Sequence, residues 1–170
     1  GVTYRTLVGN MHPKAAYFTR GTGHDEYARY TEDPKIWEES LTRIKKKFEN
    51  GKQYLPKPVI QSNESKSGII CVGSASFPVE EAMDLLAKDQ MIFDYMRIKS
   101  IPFHQEVMDF LHSHERIYIV ELNRDGQLAQ LLTLAAPVES IKFRNVTKVD
   151  GLPLTAKWIA NEIRKDEETS

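Results

Sequence analysis

A chain of 170 residues with 41% hydrophobic and 28% charged side chains has room for one domain with a full core and hardly for two. Its 23 basic and 24 acidic side chains leave a net charge of -1, so no bulk field draws in nucleic acid or an anionic membrane. A single cysteine, Cys71, excludes an intramolecular disulfide, a cysteine-rich zinc site and an iron–sulfur cluster held by this chain alone.

Residues 1–32 carry little periodicity, and a segment of that length without regular structure is uncommon in a compact domain. The expectation is that the chain begins inside a larger protein and that this irregular opening segment lies across a neighbouring domain. A helix is predicted over residues 34–50. Ile36, Trp37, Leu41, Ile44 and Phe48 form one apolar stripe, Asp33 and Pro34 suit its start, Lys45–Lys47 suit its last turns, and Gly51 suits the position beyond its end. The basic run Arg43–Lys47 therefore reads as a solvated helix face. Residues 55–67, with two prolines and a polar end, read as a linker in which Val59 and Ile60 could add a short edge strand.

Strands and helices then alternate. "GIICVGS" (68–74) reads as a strand buried on both faces, with Cys71 as an inert core thiol in a reducing, cytoplasmic protein. A helix opens at Pro78, and "IFDYMRI" (92–98) is the next strand. A helix carries Val107, Met108, Phe110 and Leu111, and "RIYIVEL" (116–122) is the third strand of this series. A helix from about Gly126 follows, then a short strand "SIKFRNV" (140–146) and a last helix from Thr155 through Arg164. Asp166–Ser170 reads as a polar tail. No apolar run approaches ~18 residues and no signal-peptide core opens the chain, so no membrane is expected. The fold class is α/β: three layers, α/β/α, around a mostly parallel sheet of about five strands. The predicted organisation is an opening segment and helix over 1–54, a linker over 55–67, an α/β domain over 68–165 and a tail over 166–170.

Two stretches look like sites. In "GTGHDEY", Gly21, Gly23, His24, Asp25, Glu26 and Tyr27 fall together. A phosphate cradle needs a strand before the glycines and a helix directly after, and here the helix starts about ten residues later. Three consecutive acidic or imidazole side chains in an extended chain point to opposite faces and do not easily share one metal ion. Asp25 and Glu26 read instead as acceptors for the loop's own backbone or for Arg20 or Arg29. In "ELNRDGQLAQLL", Glu121 ends a buried strand, Asn123 or Asp125 can cap the next helix, and Gly126 with Gln127 opens it. Structure or an interface is the reading for Glu121. Ser74 and Ser76 lack the tight turn that exposes a nucleophile and read as loop or cap residues. His112 and His114 fall at a helix end, where solvated or capping roles dominate.

"YFTRGTGHDEYARYTEDPKIWEESLTRIKKKF" (17–48) resembles a segment of 2-oxoacid:ferredoxin oxidoreductase alpha subunits with the form TG-x-HDEYG-x-x-x-(E/D)DP. "IVELNRDGQLAQLL" resembles that family's VEQN-x-x-GQLA-x-L segment. "RIKSIPFHQEVMDFL" is similar to its strand ending in Pro-Phe before a helix, and "DGLPLTAKWIANEI" to its terminal segment. Ala28 stands where that family often has glycine, Leu122 where it often has glutamine, and "VGSASFP" lacks a second glycine common there.

The resemblance implies the C-terminal region of such an alpha subunit, with the fold of the transketolase C-terminal domain. It implies oxidative decarboxylation of a 2-oxoacid such as 2-oxoglutarate or pyruvate by the holoenzyme, using thiamine diphosphate, Mg²⁺, iron–sulfur clusters and coenzyme A, with ferredoxin as electron acceptor. The cofactor would lie between the thiamine-binding domain of the same alpha subunit and a beta subunit. This chain would then bind no cofactor alone and would serve packing and subunit assembly. The alternatives are an independent small-molecule or anion-binding module and a dimerisation domain forming a homo-oligomer.

Overall fold

The computed structural model describes residues 6–16 and 23–169. They fall into two units, Gly1–Tyr54 and Leu55–Ser170. The first unit carries helix α1 (Pro34–Gly51). Asp33 Oδ1 accepts the Lys35 and Ile36 amides at 2.8 and 3.3 Å, which satisfies two donors that the first helical turn leaves over. Trp37, Leu41, Ile44 and Phe48 form the expected stripe, and each is about half exposed. Gly51, expected just past the helix, is its last residue, and the chain tightens directly into a 3-10 turn, Lys52–Tyr54.

The second unit holds strands β1 (Val59–Gln61), β2 (Ser67–Val72), β3 (Asp94–Ile98), β4 (Arg116–Glu121) and β5 (Phe143–Thr147) in the order β1-β3-β2-β4-β5. β1 runs antiparallel to β3, and the other pairs are parallel. The helices are α2 (Ser76–Ala87), α3 (Gln105–Ser113), α4 (Gln127–Ala135) and α5 (Ala156–Thr169). The alternation along each strand sorts the core. Ile69, Cys71, Tyr95, Tyr118 and Val120 pack under α2 and α5, while Ile70, Met96, Ile117 and Ile119 pack under α3 and α4. Both sheet faces are therefore covered, as the near-continuous apolar strands anticipate. Gly68 lets α3 lie close, because a Cβ there would sit 2.6 Å from the Phe110 ring.

Several boundaries differ from expectation. α2 begins at Ser76, after a 3-10 turn at Gly73–Ala75, rather than at Pro78. Ser140–Lys142, expected in a strand, belong to a 3-10 turn begun by Pro137, and β5 starts at Phe143. The expected polar tail is helical: α5 runs to Thr169. Tyr118 Oη donates to Asp166 Oδ2 at 2.8 Å and to Glu167 Oε1 at 2.7 Å, and Arg116 pairs with Glu167 at 2.6 Å. These bonds from β4 hold down a last turn that composition alone marks as solvent.

Candidate functional site

In a parallel sheet, ligands sit beyond the carboxyl ends of the strands, where the chain leaves neighbouring strands in opposite directions. β2 leads to β3 on one side and β4 leads to β5 on the other, so that point lies between β2 and β4. The turn after β4 brings together Glu121, Asn123, Gly126 and Gln127. Glu121 is 2% exposed. Its carboxylate accepts the Leu128 amide at 2.6 Å, the Ala129 amide at 3.1 Å and the Asn123 side-chain amide at 2.7 Å. Asn123 Oδ1 in turn accepts the amides of Asp125, Gly126 and Gln127.

The first amides of α4 are thus satisfied by two side chains upstream, and a carboxylate sits at the positive end of the helix dipole. Gly126 makes the turn possible at φ 63, in the left-handed region where a side chain is costly. Asp125, the other capping candidate, pairs with Arg124 at the surface instead. The motif is a strand-to-helix joint, and Asn123, Leu128 and Ala129, which donate to the Glu121 carboxylate, all belong to it.

Opposite it, Ser76 donates its hydroxyl to the Gly73 carbonyl at 3.1 Å inside the turn after β2. Ser74, Pro78, Leu122, Leu152 and Leu154 line a cavity of about 380 Å³ at this end of the sheet. Among the residues that line it, the Ser74 hydroxyl is the one polar side-chain group.

The "HDEY" loop belongs to the first unit. Gly21 and Arg20 lie outside the described residues. Gly23 is buried, and a Cβ on it would lie 2.8 Å from the Trp37 ring, so glycine is needed for the helix to close on the loop. Asp25 Oδ1 accepts the Tyr27 and Arg29 amides, both at 2.9 Å. His24 bridges to Tyr30 through the backbone, Glu26 is exposed, and the Arg29 guanidinium lies over the exposed Tyr27 ring at 5.1 Å. Asp25 thus serves the loop's own backbone, the reading that residue spacing favoured. Ala28 has φ 63, a left-handed conformation that suits the glycine common in the resembling family.

One pair escaped the sequence reading. His114, expected in a solvated or capping role at a helix end, is 4% exposed, and its Nε2 lies 3.2 Å from Asp94 Oδ2. Its Nδ1 is 2.7 Å from the Phe110 carbonyl. Asp94 also accepts the Asn63 and Ser65 amides and the Ser62 hydroxyl. Burial raises the Asp94 pKa, but these donors outweigh it and hold the carboxyl below the usual aspartate range. The pair lies at the amino end of the sheet, away from the carboxyl-end cavity, and ties the 62–65 turn to β3. Cys71 is fully buried as expected, and burial pushes its thiol up to about 11. Among the described residues no three or more His, Cys, Asp or Glu side chains gather as a metal site, and no helix is long and apolar enough to cross a membrane.

The architecture is a three-layer α/β/α fold shared with transketolase and 2-oxoacid oxidoreductase chains. One chain of a split-gene transketolase, described as an inactive beta4 tetramer, superimposes with a TM-score of 0.54 and 14% identity over 64% of this chain and 41% of that one. The 2-oxoglutarate:ferredoxin oxidoreductase from Magnetococcus marinus, solved with 2-oxoglutarate, coenzyme A and succinyl-CoA bound, matches at 0.78 with 23% identity over 91% of this chain and 27% of that one. In sequence, the chain is 26% identical over 175 residues to subunit alpha of 2-oxoacid:ferredoxin oxidoreductase 2 from Aeropyrum pernix. That alignment covers 99% of this chain and 26% of the relative, so the chain spans about a quarter of the relative's length. No protein-family model matches. The resemblance first visible in four motifs therefore extends along the whole chain, and it is to an oxidoreductase alpha subunit.

Proposed function

We propose that this chain is the C-terminal part of the alpha subunit of a 2-oxoacid:ferredoxin oxidoreductase and that it packs and assembles the enzyme rather than carrying its chemistry. The observation that supports this best is the placement of the family motif residues. Glu121, Asn123 and Gly126 are consumed in joining β4 to α4, and Asp25 in holding its own loop. Each of these carboxylates already accepts hydrogen bonds from its own joint or loop. Thiamine diphosphate, Mg²⁺, iron–sulfur clusters and coenzyme A would then be held by other domains of the holoenzyme, which would act on 2-oxoglutarate or pyruvate in the cytoplasm and pass electrons to ferredoxin. The exposed side of the "HDEY" loop, with His24, Glu26 and Tyr27, is the surface for docking on the thiamine-binding domain or the beta subunit.

Calorimetry on the purified chain tests this. Thiamine diphosphate with Mg²⁺, coenzyme A, 2-oxoglutarate and pyruvate are each expected to give no binding heat, while a thiamine-binding alpha-subunit domain or beta subunit co-expressed with the chain co-purifies with it. Micromolar binding of any of these small molecules by the chain alone would overturn the assembly reading in favour of a ligand-binding module.

A further inference from the structure

α3 ends on two histidines that are placed alike. His112, in the last turn, brings Nδ1 to 2.7 Å from the Met108 carbonyl and Nε2 to 3.5 Å from Glu139 Oε1, in the 3-10 turn before β5. His114, just past the helix, brings Nδ1 to 2.7 Å from the Phe110 carbonyl and Nε2 to 3.2 Å from Asp94 Oδ2, at the start of β3. Each ring thus meets a carbonyl of its own helix with one nitrogen and a carboxylate of another element with the other. β3 and β5 lie on opposite sides of β2 and β4, so the end of α3 is tied toward both. Ser113 Oγ is also 3.1 Å from the His114 Nδ1, but its hydroxyl donates to the same Phe110 carbonyl.

A neutral imidazole carries one proton, whereas carbonyl and carboxylate oxygens only accept. With the Nδ1 proton on the carbonyl, a neutral ring would turn the Nε2 lone pair toward a carboxylate. At His114 that opposition would be buried, and among the described residues Asp94 is the one group that reaches this Nε2. Asp94 meanwhile accepts two amides and a hydroxyl, as an ionised carboxylate does. We propose that the two histidines form a proton-operated clamp: as imidazolium ions they fasten the end of α3 to β3 and to the turn before β5, and loss of their Nε2 protons releases it. The negative end of the helix dipole favours a cation here. The other charged groups around the clamp set the weight of its arms. Glu139 also pairs with Lys142, which donates to the Leu111 carbonyl, so that tie survives a neutral His112 and His114 is the main arm. Glu115, next to His114, pairs with Lys66 at the surface, and β2 brings only the uncharged Gly68 to the His114 ring. His104, at the other end of α3, meets the Leu55 carbonyl with Nε2, while its Nδ1 is 3.9 Å from Glu106, beyond hydrogen-bond reach, so one proton serves it.

Nitrogen NMR of the imidazole rings in the 170-residue chain reads the protons directly. At about pH 7.5, roughly one unit above the ordinary histidine value, His114 is expected to hold a proton on each ring nitrogen, while histidines of the urea-unfolded chain hold one. The folded chain then binds the clamp protons more tightly than the unfolded chain does. The clamp's contribution is therefore complete below about pH 6.5 and is lost as pH rises above it. Near the urea midpoint the folded-to-unfolded ratio should fall about tenfold between about pH 6 and about pH 8.5. His114→Gln, which keeps a neutral donor for Asp94, should remove most of that fall, and His112→Gln a smaller part. A single ring proton on His114 at about pH 7.5 overturns the proposal, as does a fall that is absent or that runs in parallel in His114→Gln. The ring measurement uses the unaltered chain, so it decides the matter even where a variant fails to fold. Neither result bears on the assembly reading, which is tested by co-purification with a different subunit.

Discussion

Glu121 is a carboxylate with 2% of its surface exposed, and burying such a group is costly unless each oxygen is satisfied. Its three donors come from the joint that it stabilises, so the residue and the turn depend on each other. Glu121→Ala is expected to lower unfolding free energy by about 3 kcal/mol, because it strands two buried amides at the start of α4 as well as removing the bonds. Glu121→Gln keeps one acceptor and should lose roughly half as much. Urea unfolding followed by circular dichroism measures both, and losses below about 0.5 kcal/mol would show that the joint does not need the carboxylate. This site was readable because its chemistry is local: Glu121, Asn123 and Gly126 lie within a few residues of the amides that they serve. His114 was read only in part: its Nδ1 meets the Phe110 carbonyl, as a capping histidine does, but its burial was not expected. Its partner Asp94 is a strand away in sequence, and no short-range pattern announces the meeting.

At the scale of elements, periodicity identified α1, α3 and α4 and the apolar strands, because a buried stripe or run is written in consecutive residues. It did not place the ends of elements that are fixed from elsewhere. α5 outlasts its expected end because Tyr118 and Arg116 of β4 hold Asp166 and Glu167. The turn from Ser62 to Ser65 is fixed the same way, by Asp94 at the start of β3, with Glu64 in a left-handed conformation at φ 58. A depressed aspartate pKa in the folded chain means that protons bind the unfolded chain more tightly. The Asp94 contribution is therefore complete above the ordinary aspartate pKa and is lost as pH falls through the lower folded value. The melting temperature should drop as pH is taken below about 4, and Asp94→Asn should be less stable at pH 7 but show a smaller acid-induced drop. Parallel pH dependences for the two proteins would assign the acid sensitivity to other carboxylates.

Over the whole molecule, strand and helix alternation announced a mostly parallel α/β sheet, but not the order in which the strands lie. Placing β2 between β3 and β4 requires α3 to carry the chain over β2, a choice made by packing between residues far apart in sequence. Both apolar cores of the resulting sheet draw their buried side chains from residues 69–163, and α1 contributes no buried residue. The hydrophobic driving force is thus concentrated in the second unit. A chain of residues 55–170 is expected to fold alone, with one cooperative thermal transition and the buried Cys71 protected from thiol reagents until it melts. The 1–54 segment should then affect binding to other subunits far more than it affects that transition. If the shortened chain lacked a cooperative transition, or if Cys71 reacted at once under native conditions, the sheet would need the first unit as part of its core. The half-exposed stripe of Trp37, Leu41, Ile44 and Phe48 would then belong to folding rather than to assembly.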